Sequence, residues 1–308
     1  MLPKFLESLG ENIAKEWLSK VLLPALVFWL GGLLAVCSNP EFGWKIVEPF
    51  LGDGKNLATF PLNQLIVGLL AIAVSAAIVQ RLELMVLRWL EGYWHRWLNP
   101  IRRGLVWRQE SSFNRAKQTR KELFDRYDSL TSEEMDELVR LDWQRKQTPK
   151  QSDRLMPTRL GNILRAAERR PLEKYGLETV ICFPRLWLLL PAEVKTELSE
   201  ARSRLNSMVR IWIWSVLFLG WGYYALWAIP VGLGAAWFAY NWMLDAAAVY
   251  GDLLESAFDL YRTLLYKSLR LPLPKNPTEE LRSGKALTDY LWRGFVEPEP
   301  TFEEMEKK

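Results

Sequence analysis

The sequence predicts an all-α protein: a four-span transmembrane helical bundle with a large cytosolic helical insert between spans two and three. Three observations carry that expectation. Apolar runs of membrane length recur along the 308 residues, each near the roughly 17–25 that a spanning helix needs. Sixteen tryptophans, many near the ends of those runs, suit the bilayer interface. Lys and Arg fall almost wholly on one side of the spans, 38 of 40, which by the positive-inside rule is the cytoplasm.

The elements follow in order. Residues 1–20 predict an amphipathic helix, with Leu2, Phe5, Leu9, Ile13 and Trp17 on one stripe. That stripe lies in the cytoplasmic interface or packs on the cytosolic domain. Span one is the uncharged 21–37, with Pro24 a mild kink near its start. Span two, 61–80, follows a loop holding only Lys45 and Lys55. Its apolar spacing continues through Leu82, Met85, Trp89 and Tyr93 to Asn99-Pro100, which predicts one helix running on into the cytosol. Residues 81–210 form the cytosolic helical domain. Within it Thr131 and Glu134 have capping-box spacing, and the stretch from Ala192 enters span three without a breaker. Spans three and four share 211–244, too long for one crossing, and Ile229–Gly232 is the expected hairpin. The hairpin with its cytosolic extension covers 211–260. A cytosolic tail, 261–308, ends in an acidic, disordered stretch.

Composition excludes much chemistry. One histidine and two cysteines cannot build a Cys/His metal cluster, and no nucleotide-loop, nucleophile-elbow or zincin motif is present. No catalytic residue, metal or cofactor is expected. A net charge of +4 with mixed signs does not indicate nucleic acid. The sequence Leu34-Ala-Val-Cys37 resembles a lipoprotein cleavage box, but Val36 replaces the usual small residue. Cys37 and Cys182 fall on opposite faces, so no intrachain disulfide is expected.

The polar residues that remain form two groups. Asp245, Asp252 and Asp259 are seven apart and follow the apolar run directly, with Asn241 and Glu255 on the same stripe. Seven residues is nearly two turns, so successive acids drift by only ~20°. Arg81, Arg88 and His95 share that spacing after span two. Parallel exits from the membrane predict a ladder of ion pairs. In one register Arg81 meets Asp252 and Arg88 meets Asp259, leaving Asp245 ~10 Å inside the lipid; in the other Arg81 meets Asp245. Val-Tyr-Gly-Asp at 249–252 approaches an intramembrane aspartyl-protease motif, but Tyr250 stands where glycine belongs and spans one to three supply no second acid. The second group is Arg159, Asn162, Arg165, Glu168 and Tyr175. It reads as a polar or anion-binding corner, or equally as a folded, ion-paired connector.

The combination PTRLGN-x-LRAAE, YGLE, PRLW-x-LLP, DLYR and YLWRG, over 157–294, resembles an uncharacterised group of bacterial multi-pass membrane proteins. The resemblance implies membrane residence and no chemistry. In architecture alone, the expected topology is similar to that of the bestrophins, without a bestrophin sequence motif. Three functions stay open: a scaffold or regulatory protein of the bacterial inner membrane with both termini cytoplasmic; a homo-oligomeric ion channel; an enzyme or transporter. The partners expected are the bilayer and its anionic inner leaflet, further copies of the chain, and a cytosolic protein.

Overall fold

A computed structural model describes residues 18–39, 62–294 and 302. Most of the expected interfacial helix, the loop bearing Lys45 and Lys55, and the acidic end of the tail lie outside the described residues. Among those described the regular structure is helical, with no strand. In chain order the α-helices are α1 Leu23–Cys37, α2 Leu62–Glu91, α3 Asn99–Phe124, α4 Ser132–Lys146, α5 Arg159–Tyr175, α6 Thr179–Leu189, α7 Ala192–Phe218, α8 Ala228–Tyr261, α9 Thr263–Ser268 and α10 Pro277–Arg293. The chain divides into two compact units, Met1–Arg88 with Arg204–Met243, and Trp89–Ser203 with Leu244–Lys308.

The described helices of the first unit are largely apolar, on buried and exposed faces alike. α1 follows a π-helical turn, Leu18–Leu22, and has Pro24 in its first turn. It buries Ala25, Gly32, Ala35 and Val36, and the Trp221 indole lies directly against Gly32. Phe28 stacks on Trp214, ring centroids 4.7 Å apart, and Trp29 donates to Ser75 on α2. Val27, Leu30 and Leu34 on α1, and Val67, Leu70, Val74 and Ile78 on α2, are exposed. Two helical segments are long and apolar enough to cross a membrane, Lys20–Cys37 and the apolar part of one beginning at Asn63.

Two sequence expectations change here. The turn after α7 falls at a 3₁₀ segment, Leu219–Tyr223, rather than at Ile229–Gly232. Pro230 sits in the first turn of α8, where the helix lacks an N–H partner anyway and proline is tolerated. The helix after span two also stops early. α2 ends at Glu91 because Gly92 turns into the left-handed region at φ 100°, with Pro157 occupying the space a Cβ would need. His95 therefore precedes a 3₁₀ turn, Arg96–Leu98, in extended backbone, and shares no helical face with Arg81 and Arg88.

The second unit holds two cores. The larger gathers Leu177, Leu186, Leu198, Phe258, Tyr266 and Leu287, from α6 to α10 and the loop before α6. α5 ends in a left-handed cap at Gly176, φ 74°, and Gly284 of α10 lies so close to the Tyr175 carbonyl that no larger residue fits. The smaller core, Leu123, Leu138 and Leu141, joins α3 to α4. The Thr131–Glu134 capping box starts α4, and α7 is continuous from Ala192 to Phe218, both as the sequence leads one to expect.

Candidate functional site

The acids of α8 meet α5 and α4. Asp252 pairs with Lys146 at 2.7 Å. Glu255 pairs with Lys174 at 2.5 Å and with Arg170 at 3.2 Å. Asp259 pairs with Lys174 at 3.1 Å and accepts from the Tyr175 hydroxyl at 2.6 Å. Helical periodicity produces the match: 252, 255 and 259 share a face of α8, while 170 and 174 are one turn apart on α5. Arg170 also donates to the Lys146 carbonyl, one of the orphan acceptors that ends α4. Farther along, Arg262 pairs with Glu280 at 2.7 Å and lies over the Tyr175 ring, 4.0 Å from its centroid.

Electrostatics follow from that arrangement. Burial works against the Lys174 ammonium, but hydrogen bonds and attraction from Glu255 and Asp259 outweigh it and raise its pKa. Burial, then the bond to Asp259, pushes the Tyr175 phenol up. Both groups hold the protonated form required for the ladder. The cavity beside Lys146, Arg170, Asp252 and Glu255 is only about 20 Å³, the space of about one water. No substrate fits there.

The partners differ from the expected ones. Lys146, Arg170 and Lys174 take Asp252, Glu255 and Asp259, in place of Arg81, Arg88 and His95. Arg81 and Arg88 belong to the first unit, and His95 is off the helix. Asn241 donates to the Trp237 carbonyl of its own helix. Asp245 is exposed.

The second predicted cluster does not converge. Asn162 is buried and bonds both backbone groups of Met156, accepting from its N–H at 2.7 Å and donating to its carbonyl at 3.2 Å. Tyr175 turns to Asp259, and Arg159 is exposed. Glu168 reaches the surface, yet the surrounding protein raises its carboxyl's pKa against the pull of Arg165 and Arg202. The connector motif positions α5 and does not assemble a polar pocket.

A further polar pair went unrecognised in the sequence. In the first unit Arg210 of α7 and Glu83 of α2 meet at 2.5 Å, their side chains only 6% and 8% exposed. Arg210 also donates to the Lys20 carbonyl. The signal was present as one acid and one arginine at the ends of two apolar runs.

Among the described residues no group of three or more His, Cys, Asp or Glu is arranged to hold a metal. Comparison with protein-family models, curated proteins and solved structures found no match for the chain.

Proposed function

We propose that the chain is a four-span protein of the bacterial inner membrane, with both termini cytoplasmic, and that it acts as a scaffold or regulator through its basic cytosolic helical domain rather than as an enzyme. The observation that carries this reading is the ion-pair ladder. Its acids are neutralised by Lys146, Arg170 and Lys174, and the space directly beside Asp252 and Glu255 is water-sized. Such a ladder braces a domain: its acids are held in ion pairs, and so are Asp142 and Glu173, which line the neighbouring cavity of about 200 Å³. Membrane residence is supported by the exposed apolar faces of α1 and α2, since contiguous exposed apolar surface marks an interaction site. Spans three and four come from α7 and α8, whose interfacial tryptophans lower their hydropathy. The resemblance to bacterial multi-pass proteins points the same way.

One observation favours the channel as a second reading. Asp245, at the end of the α8 apolar run, is exposed between exposed Trp242 and Val249, and a carboxylate near lipid needs water or a partner. Native mass spectrometry of the detergent-extracted particle separates the two. A single chain of 35.9 kDa would remove the channel reading, because four helices do not line an aqueous path alone. A defined ring whose liposome ion flux changes with Asp245→Asn would overturn the scaffold reading. Reporter fusions at either terminus test the orientation, and a periplasmic signal from either one refutes it.

A further inference from the structure

The α3–α4 hairpin holds a cavity of about 320 Å³, inside the range of small-molecule sites. One wall is a single face of α3, stepping by four residues through Gln109, Phe113, Lys117 and Lys121. The other is α4 and its exit, with Gln144, Arg145 and Lys150. Leu141 closes the floor and belongs to the small core that holds the hairpin together.

Five cations line this groove and no carboxylate does. Arg120 is paired with Asp142 at 2.5 Å, and Lys150 with Glu173 at 3.1 Å. Lys117, Lys121 and Arg145 make no ion pair among the described residues. Elsewhere in this unit acids answer the cations, as on α8. Here three uncompensated charges converge on a concave surface, which concentrates anions by focusing the field. Amide and hydroxyl groups of Gln109, Gln144 and Thr148 stand beside them, and the Phe113 ring offers an apolar face.

We propose that this groove binds a phosphate-bearing ligand, its phosphate oxygens held by Lys117, Lys121 and Arg145. Arginine suits forked contact with phosphate and lysine supplies point charge. The ligand is a soluble phosphorylated molecule or a phospholipid headgroup; the recognising chemistry is the same. The inference is independent of the scaffold reading and holds whether or not the chain conducts.

The test uses the full-length protein in neutral phosphatidylcholine nanodiscs, titrated calorimetrically with pyrophosphate and with ATP. A parallel arm adds phosphatidylglycerol to the detergent-solubilised protein and counts bound lipids by native mass spectrometry. The groove variant is Lys117→Gln with Lys121→Gln and Arg145→Gln. A control variant removes equal charge elsewhere, through Arg108→Gln, Arg115→Gln and Lys195→Gln. Binding in either arm that weakens at least about tenfold in the groove variant alone supports the site, and the responding arm names the source. Absence of binding in both arms overturns the proposal. Equal weakening in both variants also overturns it, since that is diffuse surface electrostatics. Lys195 is half-buried and the other five positions are exposed, and the thermal midpoint of each variant checks that folding is preserved.

Discussion

Asn162 shows how a single side chain can stand in for backbone structure. It accepts from the Met156 N–H and donates to the Met156 carbonyl inside a buried turn, groups that no helix serves. Asn162→Leu leaves both unsatisfied and is expected to cost about 2–4 kcal/mol, read as a lowered denaturant midpoint; an unchanged midpoint would show that water replaces the amide. Glu168 predicts the opposite sign. Its folded pKa is raised, so its contribution to stability is present below the unfolded pKa and lost as pH rises through the folded value. At pH 7 the ionised form is a liability. Glu168→Gln should therefore raise the melting temperature at pH 7, with the gain shrinking towards pH 4. A gain that is constant with pH would assign the effect to something other than the charge.

At the scale of elements, the α5–α8 ladder separates two kinds of ion pair. Glu255 is buried between two cations, whereas Asp252 and Lys146 stand half in water. Removing the buried charge leaves Arg170 without its carboxylate and Lys174 with Asp259 alone, so Glu255→Gln should cost about 2–4 kcal/mol. Asp252→Asn should cost about 1 kcal/mol or less and become neutral at high salt. Paired urea denaturation curves at low and high salt check both, and equal costs would mean that the ladder acts as one network. The acids themselves were legible from their heptad spacing, and so were the Thr131 capping box and the continuity of α7. Their partners were not. Placing His95 on the face of Arg81 and Arg88 needs α2 to stay straight past residue 91, and the break at Gly92 depends on Pro157, a residue distant in the chain.

For the whole molecule, the Arg210–Glu83 pair ties α2, α7 and the turn before α1 within an apolar unit. Arg210→Leu should destabilise by about 3–5 kcal/mol, because Glu83 is left buried and unpaired. The double variant Arg210→Leu with Glu83→Leu should recover much of that loss. Thermal melts in detergent provide the measurement, and a double variant no better than the single would mean that the Lys20 contact dominates.

The sequence by itself determined the helical class and, of the four membrane spans it led one to expect, the two helices long and apolar enough to cross. These depend on composition and on periodicity within one segment, which local residues specify. Only the tertiary structure decided that Lys146, Arg170 and Lys174 meet the acids, that the turn after α7 precedes Pro230, and that Arg210 finds Glu83. Each of those depends on which helix face packs against which, and residues 85 or 127 positions apart come together only through the folding of everything between them.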